Sequence, residues 1–153
     1  VCAAAAGPVV IASGWSGCTL WDLTSDGVLT VYPSGETYKG MVNMANYHKI
    51  DGVLTLPWSD YADQIVKVVI EEGVQAVGQM AFYGLPNLQE VVLASSVWEI
   101  RNYAFKGCED LTPVTMFREG CFYGCSSLTD VTFGPYFGLE DWAFSKTPVK
   151  LYP

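Results

Sequence analysis

Apolar positions in this chain follow a long period in the middle and alternate two by two before it. From Ile65 to Val114 one pattern is written twice, 23 residues apart: IVKVVIEEGVQAVGQMAFYGLPN, then LQEVVLASSVWEIRNYAFKGCED. Val68 and Ile70 return as Val91 and Leu93, Val74 as Val97, Val77 as Ile100, and Ala81-Phe82 as Ala104-Phe105. Leu85 and Leu88 return as Cys108 and Leu111. A fixed period in the twenties with apolar residues at fixed phases predicts stacked rungs, each too small to bury its own apolar face. Short β segments are expected to begin at Val68, Val91, Val114 and Val131. Alternation turns Val68/Ile70, Val91/Leu93, Val114/Met116 and Val131/Phe133 inward, and Val69, Val92, Thr115 and Thr132 outward on one face. Val77, Ile100, Phe117 and Leu139 form a second buried row. Phe82, Phe105, Phe122 and Phe144 form an aromatic spine whose preceding Ala or Cys allows a tight, short helical turn.

The array is uneven. The spine residues are spaced by 23, 17 and 22 residues, and the six missing from the middle interval fall between Met116 and Phe117. The third repeat is therefore expected to lack its second short strand. Val149-Lys150-Leu151 restores the inward-outward-inward phase as a fifth rung, and Tyr152-Pro153 ends it with a residue that has no N–H to offer. Ahead of the array, Thr19–Leu23 and Val28–Tyr32 alternate around Ser25-Asp26-Gly27, which predicts a β-hairpin. Asp51-Gly-Val-Leu-Thr-Leu56 echoes Asp26-Gly-Val-Leu-Thr-Val31 and reads as a second turn and strand. The first rung would otherwise expose apolar core and an unpaired strand edge, so this β-rich lead-in is expected to cover it, with Trp15, Trp21 and Trp58 as hydrophobic cover. The chain thus divides into an apolar tail at 1–12, a β cap and connector at 13–64, and about four repeats plus a terminal strand at 65–153.

The unit L-x-x-V-x-φ…V-x-x-I-x-x-x-A-F-x-x-C-x-x-L of Leu88–Leu111 resembles the BspA-like class of bacterial leucine-rich repeats. Leu20-Trp21-Asp22-Leu23…Asp26-Gly27-Val28-Leu29-Thr30-Val31 resembles the Trp-containing hairpin of that family's N-terminal segment, and Pro57-Trp58…Ile65 to Val74 its entry into the first repeat. The resemblance covers residues 13–153. It implies a β-rich, right-handed leucine-rich-repeat solenoid of short strands and short helical turns with an N-terminal β-hairpin cap. It also implies a secreted or cell-surface bacterial protein whose repeats serve recognition of a protein or glycan. The chain departs from the family in a longer insertion around Met41–Leu56, in the shortened third repeat and in the small number of repeats.

Composition narrows the chemistry. Half the residues are hydrophobic, only 16% are charged, and 16 acidic against 8 basic side chains leave a net charge of −8, so nucleic acid is excluded as a partner for want of clustered Lys and Arg. Residues 1–12 carry no charge and are too few to span a bilayer; they read as the end of an export signal. Five cysteines cannot all pair within the chain. Cys108 and Cys125 share a repeat phase and read as small buried hydrophobes, with a disulfide between adjacent rungs as the alternative. The one histidine, His48, has no acid or nucleophile at a recognisable spacing. Cys121 and Cys125 lack a second ligand pair, and there is no phosphate loop, so no enzyme, cofactor or metal site is expected. Two function classes remain. One is a binding module that uses the outward strand face: Lys67, Val69, Glu90, Val92, Thr115, Asp130 and Thr132. The other is a structural spacer that self-associates weakly through its edges, with Trp98 and Trp142 as added exposed aromatic area.

Overall fold

The structure is a computed structural model that describes residues 6–111, 130–132 and 150–152. The expectations for Thr115, Phe117, Phe122, Cys125, Leu139, Trp142 and Phe144, and for the shortened third repeat, fall outside those residues. Among the described residues there are nine strands: β1 (Val10–Ser16), β2 (Thr19–Thr24), β3 (Val28–Pro33), β4 (Lys67–Ile70), β5 (Ala76–Val77), β6 (Glu90–Leu93), β7 (Glu99–Ile100), β8 (Asp130–Thr132) and β9 (Lys150–Tyr152). The first sheet has the order β1-β2-β3-β4-β6, the second pairs β5 with β7, and β8 pairs with β9.

The first sheet changes character halfway across. β1, β2 and β3 form an antiparallel meander, whereas β3, β4 and β6 run parallel. The joint is seamless in its hydrogen bonds. The Val66 N–H donates to the Gly27 carbonyl at 2.9 Å, as the Gln89 N–H donates to the Val66 carbonyl at 2.9 Å. At the other end, Glu71 N–H donates to Val31 (2.9 Å) as Ala94 N–H donates to Ile70 (3.0 Å). β3 therefore stands to β4 as β4 stands to β6. Its alternating pattern buries Leu29 and Val31 in line with Val68 and Ile70.

The polar connector repeats this arrangement for the second sheet. Asn43 bridges Ala76 in parallel, and Gln75 N–H donates to the Val42 carbonyl at 2.9 Å, as Trp98 N–H donates to the Gln75 carbonyl at 3.1 Å. The approach is so close that a Cβ on Gly78 would fall on the carbonyl oxygen of Ala45, and one on Gly17 would lie 2.6 Å from that of Asn43. Gly17 also sits at φ 63°, which opens the two-residue turn between β1 and β2 without side-chain strain. Further along, Lys49 Nζ lies 4.9 Å from the ring centroid of Tyr83.

Among the described residues the aromatic spine begins one ring ahead of the first position its period predicts. Phe82 stacks on Phe105 at 5.1 Å, and Trp58 stacks on Phe82 at 5.3 Å with its indole N–H donating to the Ala81 carbonyl at 3.1 Å. Trp21 then meets Trp58 edge-on at 5.7 Å. The core is one cluster running from Trp21 through Val68, Val77 and Ile100 to Cys108 and Leu111. Cys108 is buried and its thiol donates to the Phe82 carbonyl at 3.1 Å.

Four expectations are corrected. The boundary drawn at residues 12 and 13 falls inside β1, because the end of the apolar run pairs with β2. Trp15 is 58% exposed rather than covering core. Gly14 holds the inner position beside it, where a Cβ would lie 2.9 Å from the Trp21 indole nitrogen, and alternation sends Trp15 outward. Val53–Leu56 forms no strand. Ile50 and Val53 only bridge each other across the Asp51-Gly52 turn, since the edge of β3 that such a strand would need is taken by β4. The segments around Phe82 and Phe105 are consecutive turns, not helical ones. Met80 and Tyr103 adopt φ 54° and 59°, and the N–H groups of Met80, Phe82 and Gly84 donate to Asn102, Ala104 and Lys106 of the next rung instead of along their own turn. The 3-10 turn Ser59–Tyr61 is the one helical element among the described residues.

Because backbone rather than a flexible side chain occupies the space beside Gly78, Gly78→Ala is expected to lower the unfolding free energy by about 1–3 kcal/mol in urea titration. Gly7→Ala, whose Cβ meets nothing within 4 Å, is expected to leave it within about 0.5 kcal/mol. Equal stability of the two variants would contradict docking of the connector on this rung.

Candidate functional site

The outward face of the five-stranded sheet follows from the same alternation that fills the core. Lys67 and Val69 on β4 alternate with the buried Val68 and Ile70, Glu90 and Val92 on β6 flank the buried Val91, and Val92 is 40% exposed. Register then extends the face beyond the residues expected from the repeats. One row runs Ser13, Asp22, Thr30, Val69, Val92 across all five strands. A second runs Trp15, Leu20, Tyr32, and a third runs Val28, Lys67, Glu90. From sequence, the β2–β3 hairpin is assigned to the cap and no strand is expected at β1, so this part of the face is not among the expected residues. The alternation TLWDLT and VLTVYP was the signal that could have revealed it.

Of the expected site residues, the structure brings Lys67, Val69, Glu90 and Val92 together as two cross-strand pairs, Lys67–Glu90 and Val69–Val92. Asp130 and Thr132 lie on β8, paired with β9, and no ladder joins them to β6 among the described residues. Thr115 lies outside the described residues. Trp98, expected to add aromatic area, is exposed.

Charge on the face is sparse and mostly acidic. Lys67 Nζ lies 3.2 Å from Glu90 Oε2 with both groups solvent-facing, so the pair orders the rim and adds little stability. The Tyr32 hydroxyl donates to Asp22 Oδ2 at 3.1 Å. Desolvation first, then the hydrogen bond and charge of Asp22, and last the charge of Glu71, hold the Tyr32 phenol above its ordinary pKa. The face thus offers an indole, a phenol held as a donor, aliphatic side chains and carboxylates. That set suits aromatic packing and hydrogen bonding of a neutral or cationic partner. His48 is exposed on the connector, apart from these rows. Among the described residues no three His, Cys, Asp or Glu side chains group to hold a metal ion, and no helix is long and apolar enough to cross a membrane.

The family model of the BspA type leucine rich repeat region matches residues 60–151 in six copies. The chain belongs to the BspA-type leucine-rich repeat family. Among solved structures it is similar to a leucine-rich repeat protein of Eubacterium ventriosum, at 23% identity and a TM-score of 0.59 over 91% of this chain and 37% of that one. A leucine rich cell surface protein of Faecalibacterium prausnitzii matches at 20% identity and a TM-score of 0.44, over 95% of this chain and 48% of that one. The leucine-rich repeat protein of T. pallidum matches at 22% and 0.42, over 76% and 62%. The BspA-type chain spans little more than a third of the length of the Eubacterium protein. No curated protein matches it.

The Tyr32 shift has a defined sign. A folded-state pKa above the unfolded value contributes stability that is present below pH 10 and is lost as pH rises through the folded value. Tyr32→Phe is therefore expected to remove one component that titrates above pH 10 in an alkaline spectrophotometric titration. It is also expected to flatten the fall of stability in that window. Loss of a component that titrates at or below pH 10 instead would show that the Asp22 contact does not hold the phenol.

Proposed function

We propose that this BspA-type chain is a short right-handed solenoid, with β1–β3 as its N-terminal cap, that serves as a non-enzymatic recognition module of a secreted or surface-attached bacterial protein. It binds a protein or glycan of a host or a neighbouring cell through the outward sheet face. The observation that supports this reading is the unbroken row from Ser13 to Val92, flanked by Trp15, Leu20 and Tyr32. A continuous ladder of outward side chains, polar at Ser13, Asp22 and Thr30 and apolar at Val69 and Val92, beside the exposed Trp15, is held on strands as a pre-organised contact surface, and its binding costs little side-chain ordering. The net charge of −8 directs it away from polyanions.

The test is a pull-down of the full chain against host matrix proteins, mucins and glycan arrays, followed by affinity measurement on the ligand found. Val69→Ser/Val92→Ser and Trp15→Ala/Tyr32→Ala are each expected to weaken that ligand by about tenfold or more, in keeping with loss of central apolar contacts. Unchanged affinity in both double variants would exclude the face.

A further inference from the structure

We propose that the free edge of β1 is a homotypic docking strand, on which two copies of the chain pair antiparallel and join their five-stranded sheets into one. β1 terminates the sheet, with β2 on one side and no strand on the other among the described residues. The turn Gly17-Cys18 makes Ser16 and Thr19 a hydrogen-bonded pair, so alternation aims the backbone groups of Gly14 and Ser16 at β2 and those of Ser13 and Trp15 away from the sheet.

Natural sheets blunt such edges with Lys, Pro or an inward-pointing charge. β1, VIASGWS, has none of these, and no charged side chain occurs before Asp22 in a chain of net charge −8. Exposed apolar area gathers on the same edge in Val9, Val10, Ile11 and Trp15. The one protective device is the bulge between Val10 and Ala12, which leaves Ala12–Ser16 regular.

That regular stretch is complementary to itself. A two-fold axis at Gly14 sets Ser13 opposite Trp15 of the second copy, so the two Ser13–Trp15 pairs exchange about four backbone hydrogen bonds. It also sets Gly14 against Gly14 and makes the two Trp15 rings diagonal neighbours, within reach of each other. A second copy fits better than an unrelated strand because the contact is isologous, small opposite large, and confined to the stretch where two acidic molecules meet without opposing charges. The short pairing predicts a weak dimer that tightens as salt screens the repulsion between copies. The proposal sharpens the self-association alternative and requires no ligand, so it stands or falls separately from recognition by the outward face.

Sedimentation of the full chain without ligand, from micromolar to millimolar concentration, reads the outcome. The weight-average mass is expected to rise from 16.7 kDa toward twice that value, at lower concentration when salt is added. Ser13→Pro removes an N–H that faces away from β2, and Trp15→Lys puts a charge on the edge. Both are expected to hold the chain monomeric, while Val69→Ser/Val92→Ser dimerises like the parent. If Ser13→Pro unfolds in a thermal scan, Trp15→Lys decides alone. A parent chain that stays monomeric at millimolar concentration overturns the proposal, even if an unrelated extended peptide adds to β1. So does a dimer that survives both edge variants, or one abolished by the Val69/Val92 change.

Discussion

A stack of parallel rungs leaves the backbone donors and acceptors on the outer edge of its first rung without a partner, together with one face of each buried row. In this chain that constraint is met three times by the segment before the repeats. β3 supplies the carbonyls of Gly27 and Val31 to Val66 and Glu71, Val42 supplies its carbonyl to Gln75, and Trp58 lies flat on Phe82. Each contact copies the one that the first repeat makes to the second: Val66 with Gln89, Gln75 with Trp98, Phe82 with Phe105. Backbone, backbone and ring are matched separately, by residues that share no motif with the repeat.

The outward face is a by-product of the same solution. Once β3 is in register with β4, the alternation that buries Leu29 and Val31 presents Thr30 and Tyr32 beside Val69, and β2 and β1 carry the rows on to Asp22, Leu20 and Trp15. A segment that only covered an apolar end would have no reason to display an exposed indole and a phenol hydrogen-bonded to a carboxylate. The meander therefore more than doubles the number of strands that contribute to the surface. It adds one carboxylate, Asp22, and otherwise uncharged side chains to that surface.

The sequence was legible wherever side chains repeat. Val68 and Ile70, Val77 and Ile100, Phe82 and Phe105 announce their burial by recurring at 23 residues, and the β2–β3 hairpin by its Asp26-Gly27 turn. It was silent where backbone does the pairing. Nothing in the side chains of Val42 and Asn43 marks them as a rung, because parallel bridging uses only main-chain groups. β1 was hidden for another reason: VIASGWS has the composition of an export leader, and its Gly14 makes sense only with Trp21 lying against it. Left-handed Met80 and Tyr103 replaced expected helical turns, since neither residue type signals that conformation. For the candidate site, the repeats revealed Lys67, Val69, Glu90 and Val92, and the rest of the face needed the register of β1 to β3.

Native-state hydrogen exchange tests most directly whether the N-terminal segment is the array's true first rung. The amides of Glu71 and Gln75 bond back to Val31 and Val42, whereas those of Ala94 and Trp98 bond from one repeat to the previous one. If the segment is integral, all four exchange through the same cooperative opening, with one free energy and one dependence on denaturant. Exchange of Glu71 and Gln75 through a separate, lower-energy opening, with Ala94 and Trp98 still protected, would show an appendage that detaches from an array stable without it.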